Sequence, residues 1–179
     1  MLNYKMISLI AASLLVGACS VSATVSDPSI CDSVEVVATI PVSPIPGVVL
    51  PPLTFTVNYD FSSTLNKVGD VADQLQANVN QLSISNNGDL DWVNELDVSV
   101  SGSTSDTPVV ALASYSKGSG TPGNTVELTL KLDTATMLRY LQSGPITLTF
   151  TVSGTTPTQP VSLSNTFCVA VSGHFSKSL

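Results

Sequence analysis

An all-β fold, an antiparallel sandwich of seven to nine strands with one or two short helices, is predicted by three features of the chain. Short segments alternate apolar and polar residues with period two, the mark of strands that bury one face. Turn-forming clusters of Gly, Pro, Asn and Ser separate them. The composition is rich in Val, Leu, Thr and Ser and poor in Lys, Arg and Glu, a profile that suits an exported β protein kept soluble by hydroxyls and a few aspartates.

The chain opens with a segment that belongs to targeting rather than to the fold. Lys5 supplies a positive start, and Met6 to Ala18 is an apolar run broken only by Ser8, Ser13 and Gly17, which is the layout of a secretory signal. The run falls short of the roughly 20 apolar residues that span a bilayer. Two cleavage points compete. Val16-Gly17-Ala18-Cys19 resembles the bacterial lipobox, in which the cysteine receives a diacylglyceryl thioether and becomes the mature N-terminus. Val21-Ser22-Ala23 satisfies the small-x-small rule for ordinary signal peptidase. Lipidation of Cys19 is the expected outcome, because this cysteine stands where the apolar run stops and its removal from the pool leaves an even pair. Acyl chains on that terminus, palmitate among them, would anchor the domain to a membrane without inserting it.

Residues 1–18 are therefore expected as a lipoprotein signal peptide, 19–30 as a polar, unpatterned lipidated tether, and 31–179 as the β-sandwich domain. In the domain, Val34, Val36, Ala38 and Ile40 share one phase. Leu53, Phe55, Val57, Tyr59 and Phe61 share the next. Further strands are expected at Val79–Ser85, Leu96–Ser101, Pro108–Ser114, Val126–Leu132, Ile146–Val152 and Val161–Val171. So many strands close as a sandwich or a barrel. Pro41–Pro52, PVSPIPGVVLPP, reads as an edge segment crossing between sheets, since proline cannot donate to a ladder; a polyproline ligand for a partner domain is the alternative. Ser116–Asn124 and Ser153–Pro160 read as hairpin loops. Asp133 is placed to cap a helix over Thr134–Gln142 with Met137, Leu138 and Leu141 on one face, ended by Ser143-Gly144-Pro145. Leu65, Val68, Ala72 and Leu75 form a weaker helical pattern interrupted by Gly69.

Two cysteines remain in the domain, Cys31 and Cys168, and an exported chain passes through an oxidising space, so a disulfide is expected between them. Closing a loop of that length is worth about 4 to 5 kcal/mol in the chain-entropy model. In the last strand Val161, Leu163, Phe167, Val169 and Val171 share a face, which turns Cys168 to the other one, and the phase of the first strand does the same to Cys31. First and last strands are thus expected to be neighbours, with the disulfide on the outer or edge side.

Groups for chemistry are sparse. His174 is the one histidine, near the C-terminus, and no Gly-x-Ser-x-Gly elbow accompanies it. Zinc ligands are too few. Glu35, Glu95 and Glu127 fall on polar strand phases or margins and lack neighbouring aromatics for stacking on sugars. Trp92, in the turn NNGDLDWVNEL, is expected to plug the core. That turn also carries Asn86, Asn87, Asp89 and Asp91 around Gly88, so Asn86, Asp89 and Asp91 are weak candidates for Ca²⁺, without the distal glutamate of an EF-hand. Asn-Gly turn chemistry accounts for the same letters. No cofactor is expected. After removal of Lys5 with the signal, five basic residues face thirteen acidic ones, a net charge of −8, which disfavours nucleic acid and anionic lipid surfaces.

The stretch LRYLQSGPITLTFTVSGTTPTQPVSLSNTFCVAV resembles the closing segment of uncharacterised exported β domains, and the mature chain resembles small bacterial lipoproteins with an immunoglobulin-like sandwich. The likeness covers the last third at the level of pattern and brings no catalytic residues with it. It implies an immunoglobulin-like version of the sandwich. By analogy with such lipoproteins, Ser20 rather than Asp after the cysteine implies sorting to the outer membrane. The expected role is that of a membrane-anchored, noncatalytic envelope lipoprotein, structural or binding another envelope protein or glycan through a loop end or sheet edge. An adhesin or fibre subunit assembled by strand exchange, and a hydrolase of envelope polymers, are the alternatives.

Overall fold

The computed structural model describes residues 20–36, 39–69, 74–118 and 123–178; the expected signal segment and Cys19 lie outside them. Along the chain run β1 (Ser20–Val36), β2 (Val49–Tyr59), α1 (Ser62–Gly69), β3 (Gln74–Asn86), β4 (Val93–Ser101), β5 (Val110–Ser116), β6 (Thr125–Glu127), β7 (Thr129–Leu130), α2 (Thr134–Gln142), β8 (Ile146–Thr155) and β9 (Leu163–Ser178). They form an antiparallel β-sandwich. One sheet has the order β1-β9-β3-β6 and the other β2-β8-β4-β5-β7.

Alternation builds both layers. In β8 every second residue is buried, with Ile146, Leu148, Phe150 and Val152 facing inward, and each such side chain contributes about 1.5–3 kcal/mol by leaving water. Phe150 stacks on Phe55 of the adjacent β2 at 5.0 Å between ring centroids. Tyr59, Phe61 and Phe167 bring aromatic rings from both sides of the sandwich together, Tyr59 and Phe167 at 5.3 Å and Phe61 and Phe167 at 5.6 Å. Trp92 is 7 % exposed and belongs to this core.

The outer strands carry devices that suit an edge. β1 and β2 each stand at a sheet margin. Pro28 sits in the register shift between Asp27 and Ile30 of β1, and Pro51-Pro52 occupy the shift between Leu50 and Leu53 of β2. A missing N–H costs least where no second neighbour needs it. Asp32 lies opposite the inward-facing Phe167 yet is exposed at the margin, and a charge in that phase discourages pairing with another chain.

Helix α2 begins at Asp133, whose carboxylate accepts from the Thr136 backbone N–H at 2.9 Å and from the Thr136 hydroxyl at 2.8 Å. It buries Met137, Tyr140 and Leu141, with Leu138 half-buried; the Tyr140 hydroxyl donates to the Pro108 carbonyl at 2.6 Å. Helix α1 stops at Gly69, and Leu75 of the weaker helical pattern belongs to β3 instead.

Four sequence expectations change. The stretch 20–30, expected as a tether, is strand: its backbone pairs with the C-terminal half of β9, from Ser20 opposite Ser178 onward. A margin strand held by a ladder on one side needs no apolar alternation to pair, so pattern alone is silent there. The segment Val126–Leu132 is not one strand; it breaks at Leu128, whose N–H donates to the Leu82 carbonyl at 3.0 Å, so that β6 pairs with β3 in one sheet and β7 with β5 in the other. Neither Ser116–Asn124 nor Ser153–Pro160 is a hairpin loop: the first joins β5 of one sheet to β6 of the other. Strand β8 continues to Thr155, and the chain then crosses to β9 in the opposite sheet.

Candidate functional site

Four connections cross between the sheets at one end of the sandwich: residues 37–48 from β1 to β2, 87–92 from β3 to β4, 117–124 from β5 to β6, and 156–162 from β8 to β9. Crossings satisfy their backbone groups on one another rather than on a ladder. The Thr155 N–H donates to the Trp92 carbonyl at 2.8 Å and the Thr156 N–H to the Val48 carbonyl at 2.7 Å. The Asn86 and Leu90 N–H groups donate to the Asn124 and Gly123 carbonyls at 2.9 and 2.7 Å, and the Ser43 N–H to the Pro157 carbonyl at 3.0 Å. At this end lies a cleft of about 550 Å³. Its walls are the turn at Pro46-Gly47, the residues Asn86–Asp89 with Asp91 and Trp92, and the crossing Thr155–Val161.

The side chains of the wall divide into those that hold the loops and those left over. Asn87 Oδ1 accepts from the Ser162 N–H at 3.2 Å and so ties one crossing to another. Asn86 Nδ2 donates to the Asp89 carbonyl at 3.1 Å, and Lys117 Nζ donates to the Asp91 carbonyl. Among the described residues, Asn86 Oδ1 and Trp92 Nε1 are the buried side-chain polar atoms without a hydrogen-bond partner. Both belong to residues of the wall. One is an acceptor and the other a donor. Asp89 and Asp91, both exposed, supply the charge of the lining, which holds no Lys, Arg or His.

No family model matches the chain, and no curated protein does.

Among solved structures, one from Desmodium yellow mottle tymovirus is similar at 14 % identity and a TM-score of 0.29, over 98 % of this chain and 95 % of that one. A likeness of that size carries no argument about role, which has to come from the chain itself.

The sequence-derived candidates fall in separate places. Asn86, Asp89 and Asp91 come together on the cleft wall, yet among the described residues no three His, Cys, Asp or Glu side chains cluster as a metal site would need. Cys31 and Cys168 are directly opposite on β1 and β9 and form a disulfide, with Cα atoms 4.1 Å apart, close to the spacing of about 4.5 Å in a non-hydrogen-bonded antiparallel pair. Cys31 is exposed on the margin strand. The three glutamates are dispersed: Glu35 on β1 accepts from the Ser162 hydroxyl at 3.1 Å, Glu95 on β4 from the Ser153 hydroxyl at 3.5 Å, and Glu127 on β6 from Gln81 Nε2 at 3.2 Å. His174 is exposed in β9, opposite Thr24 and Gln74.

The sequence marks the loop NNGDLDW but not the cleft. The partners Pro46-Gly47 and Thr155–Val161 were readable only as a proline-rich crossing and a loop. The one available signal was Gly154, a glycine inside a strand pattern, which marks a close backbone approach; a Cβ there would stand 1.9 Å from the Trp92 carbonyl oxygen.

Proposed function

We propose that the chain is a lipid-anchored, noncatalytic binding module of a bacterial cell envelope that holds another envelope component, protein or glycan, in the loop-end cleft. The observation that carries this reading is where the cleft lies. In the β1–β9 ladder Ser20 faces Ser178 at one end and Val36 faces Leu163 at the other. The cleft borders the Leu163 end, through Val161 and Asn86, the latter also opposite Leu163. Sixteen residue steps of about 3.3 Å separate the two ends, on the order of 50 Å. An anchor on Cys19 would adjoin the first residue of β1 with no spacer, hold that end of the sandwich against the lipid, and point the cleft away from it. A disulfide between strands at the two ends of the domain sequence fits an oxidising compartment, which supports export.

Two measurements test the reading. Mass spectrometry of the mature N-terminus from expressing bacteria is expected to find acylated Cys19; an unmodified terminus after Ala23 overturns the anchor. Cosedimentation of the chain with purified envelope fractions is expected to be saturable and to be lost in Gly88→Tyr, which fills the cleft from a position where a Cβ meets only Asn86 Nδ2, at 3.8 Å. Binding that is absent, or indifferent to Gly88→Tyr, overturns the binding role.

A further inference from the structure

We infer that Asn87 is a site of spontaneous covalent modification: its side-chain amide closes onto the Gly88 nitrogen, loses ammonia, and leaves an aspartyl or isoaspartyl residue on the cleft wall. The inference goes beyond the binding-module reading and stands without it.

The step needs a backbone nitrogen that can reach the carbon of the preceding side-chain amide. The Gly88 nitrogen gives its proton to water and bonds to Asn87 Cγ; the bond from Cγ to Nδ2 breaks, and Nδ2 takes up a proton and leaves as ammonia. The product is a five-membered succinimide. Water then adds at either ring carbonyl, giving an aspartate or sending the main chain through the side-chain carbon as isoaspartate. The route consumes only water and releases only ammonia.

Four observations single out this residue. Asn87 is the one asparagine in the chain followed by glycine, and a residue without Cβ leaves the approach to its nitrogen open. Asn87, Gly88 and Asp89 are all exposed, in a bend between β3 and β4 rather than in a ladder. No hydrogen bond to another described residue ties the Gly88 N–H, whereas the Asn86 and Leu90 N–H groups on either side donate to the Asn124 and Gly123 carbonyls. Finally, Asn87 Oδ1 accepts from the Ser162 N–H at 3.2 Å. Negative charge gathers on that oxygen as the nitrogen attacks, and a fixed backbone N–H aimed at developing charge lowers the barrier. The hydrogen bond that ties two crossings together therefore also activates the amide. Exposed Asn124, at the same end of the sandwich, supplies the contrast: β-branched Thr125 follows it, and its side-chain oxygen accepts from the Thr125 hydroxyl at 3.4 Å.

The change falls on the cleft. Asn87, Asp89 and Asp91 all line it, so either product adds a carboxylate beside two others, with Lys117 Nζ on the Asp91 carbonyl as the neighbouring cation. The isoaspartyl form also lengthens the main chain between β3 and β4 by one carbon and makes the oxygen that Ser162 holds a main-chain carbonyl.

The test keeps the purified protein in mildly alkaline buffer at physiological temperature for weeks. Peptide mapping by mass spectrometry follows the conversion of every asparagine, with electron-transfer fragmentation to separate aspartate from isoaspartate. Expected are both products at Asn87, formed at least tenfold faster than at Asn124 and no slower than in the free peptide of residues 85–91, and suppressed at least tenfold by Gly88→Ala. A Cβ at Gly88 meets only Asn86 Nδ2, at 3.8 Å, so this variant keeps the fold, which its melting midpoint checks. Asn87 that stays intact while the free peptide converts overturns the inference, as does equal conversion at Asn124. Conversion undiminished in Gly88→Ala overturns the ring-closing route.

Discussion

Tyr59 donates its phenolic hydrogen to Oδ1 of Asn165, joining the margin of one sheet to the inner face of the other. The same amide donates through Nδ2 to the Ser83 carbonyl at 2.8 Å. Tyr59 is 2 % exposed and Asn165 fully buried. An asparagine on an otherwise apolar face is tolerated because both ends of its amide are used, and it holds β2, β9 and β3 in one register.

Removing the Tyr59 hydroxyl leaves Asn165 Oδ1 buried without its donor, and removing the amide leaves that hydroxyl only the residue-165 main-chain carbonyl at 3.5 Å and frees the Ser83 carbonyl, each of which costs about 1–3 kcal/mol. Tyr59→Phe is expected to lower unfolding free energy by that amount in urea titrations, and Asn165→Leu by a similar amount. The double variant should cost less than the sum, with a coupling of about 0.5–3 kcal/mol. Strict additivity would contradict the link.

Burial pushes the Tyr59 hydroxyl far above its usual range, and the charge of Asp32 adds to the effect. A tyrosine in the unfolded chain ionises near pH 10. Because the folded value is higher, the unfolded chain sheds this proton first. The stability linked to it is complete below about pH 10 and declines as pH rises from there toward the folded value. Thermal melts between pH 9 and 12 should show a steeper fall for the wild type than for Tyr59→Phe; equal slopes would contradict the assignment.

The disulfide joins residues 137 apart in sequence, for which the chain-entropy model gives about 5 kcal/mol. Cys31→Ala, or reduction of the wild type, is expected to lower the urea midpoint by a corresponding amount. Peptide mapping without reductant should recover Cys31 linked to Cys168. Two free thiols in the exported protein would contradict the pairing.

Gly154 is squeezed between β2 and β4, opposite Leu50 and Val93. A Cβ at this position would lie 1.9 Å from the Trp92 carbonyl oxygen and 3.0 Å from the Asn94 nitrogen, both backbone atoms that cannot turn aside. Gly154→Ala is expected to cost about 1–3 kcal/mol, as overpacking does, and to shift Trp92 emission because the strain falls on the residue beside the indole. A variant with an unchanged melting midpoint and spectrum would refute the close approach.

Much of the sandwich was legible because burial and alternation are the same fact seen twice. The inward residues of β8, the cap at Asp133 and the phase that set Cys31 beside Cys168 are all local signals. What escaped depends on distant partners. Alternation runs on through Val126–Leu132 although the chain changes sheets at Leu128, since either sheet offers a buried face. Asn165 reads as a polar interruption until Tyr59 and Ser83 are brought to it. The pairing of Ser20–Ile30 with β9 rests on backbone hydrogen bonds that leave no mark in composition. The cleft is a product of three crossings meeting at one end, and only its NNGDLDW wall is visible in the sequence as a loop with oxygen-bearing side chains.

The proposed binding role requires that this end of the sandwich receive the partner. Hydrogen–deuterium exchange of the mature protein, alone and with saturating purified envelope material, tests it most directly. Protection is expected in the peptides covering 86–92 and 155–161, with little change in β1, β2 and α2. Protection confined to the β1 or β2 margin, with these two crossings unaffected, would contradict it.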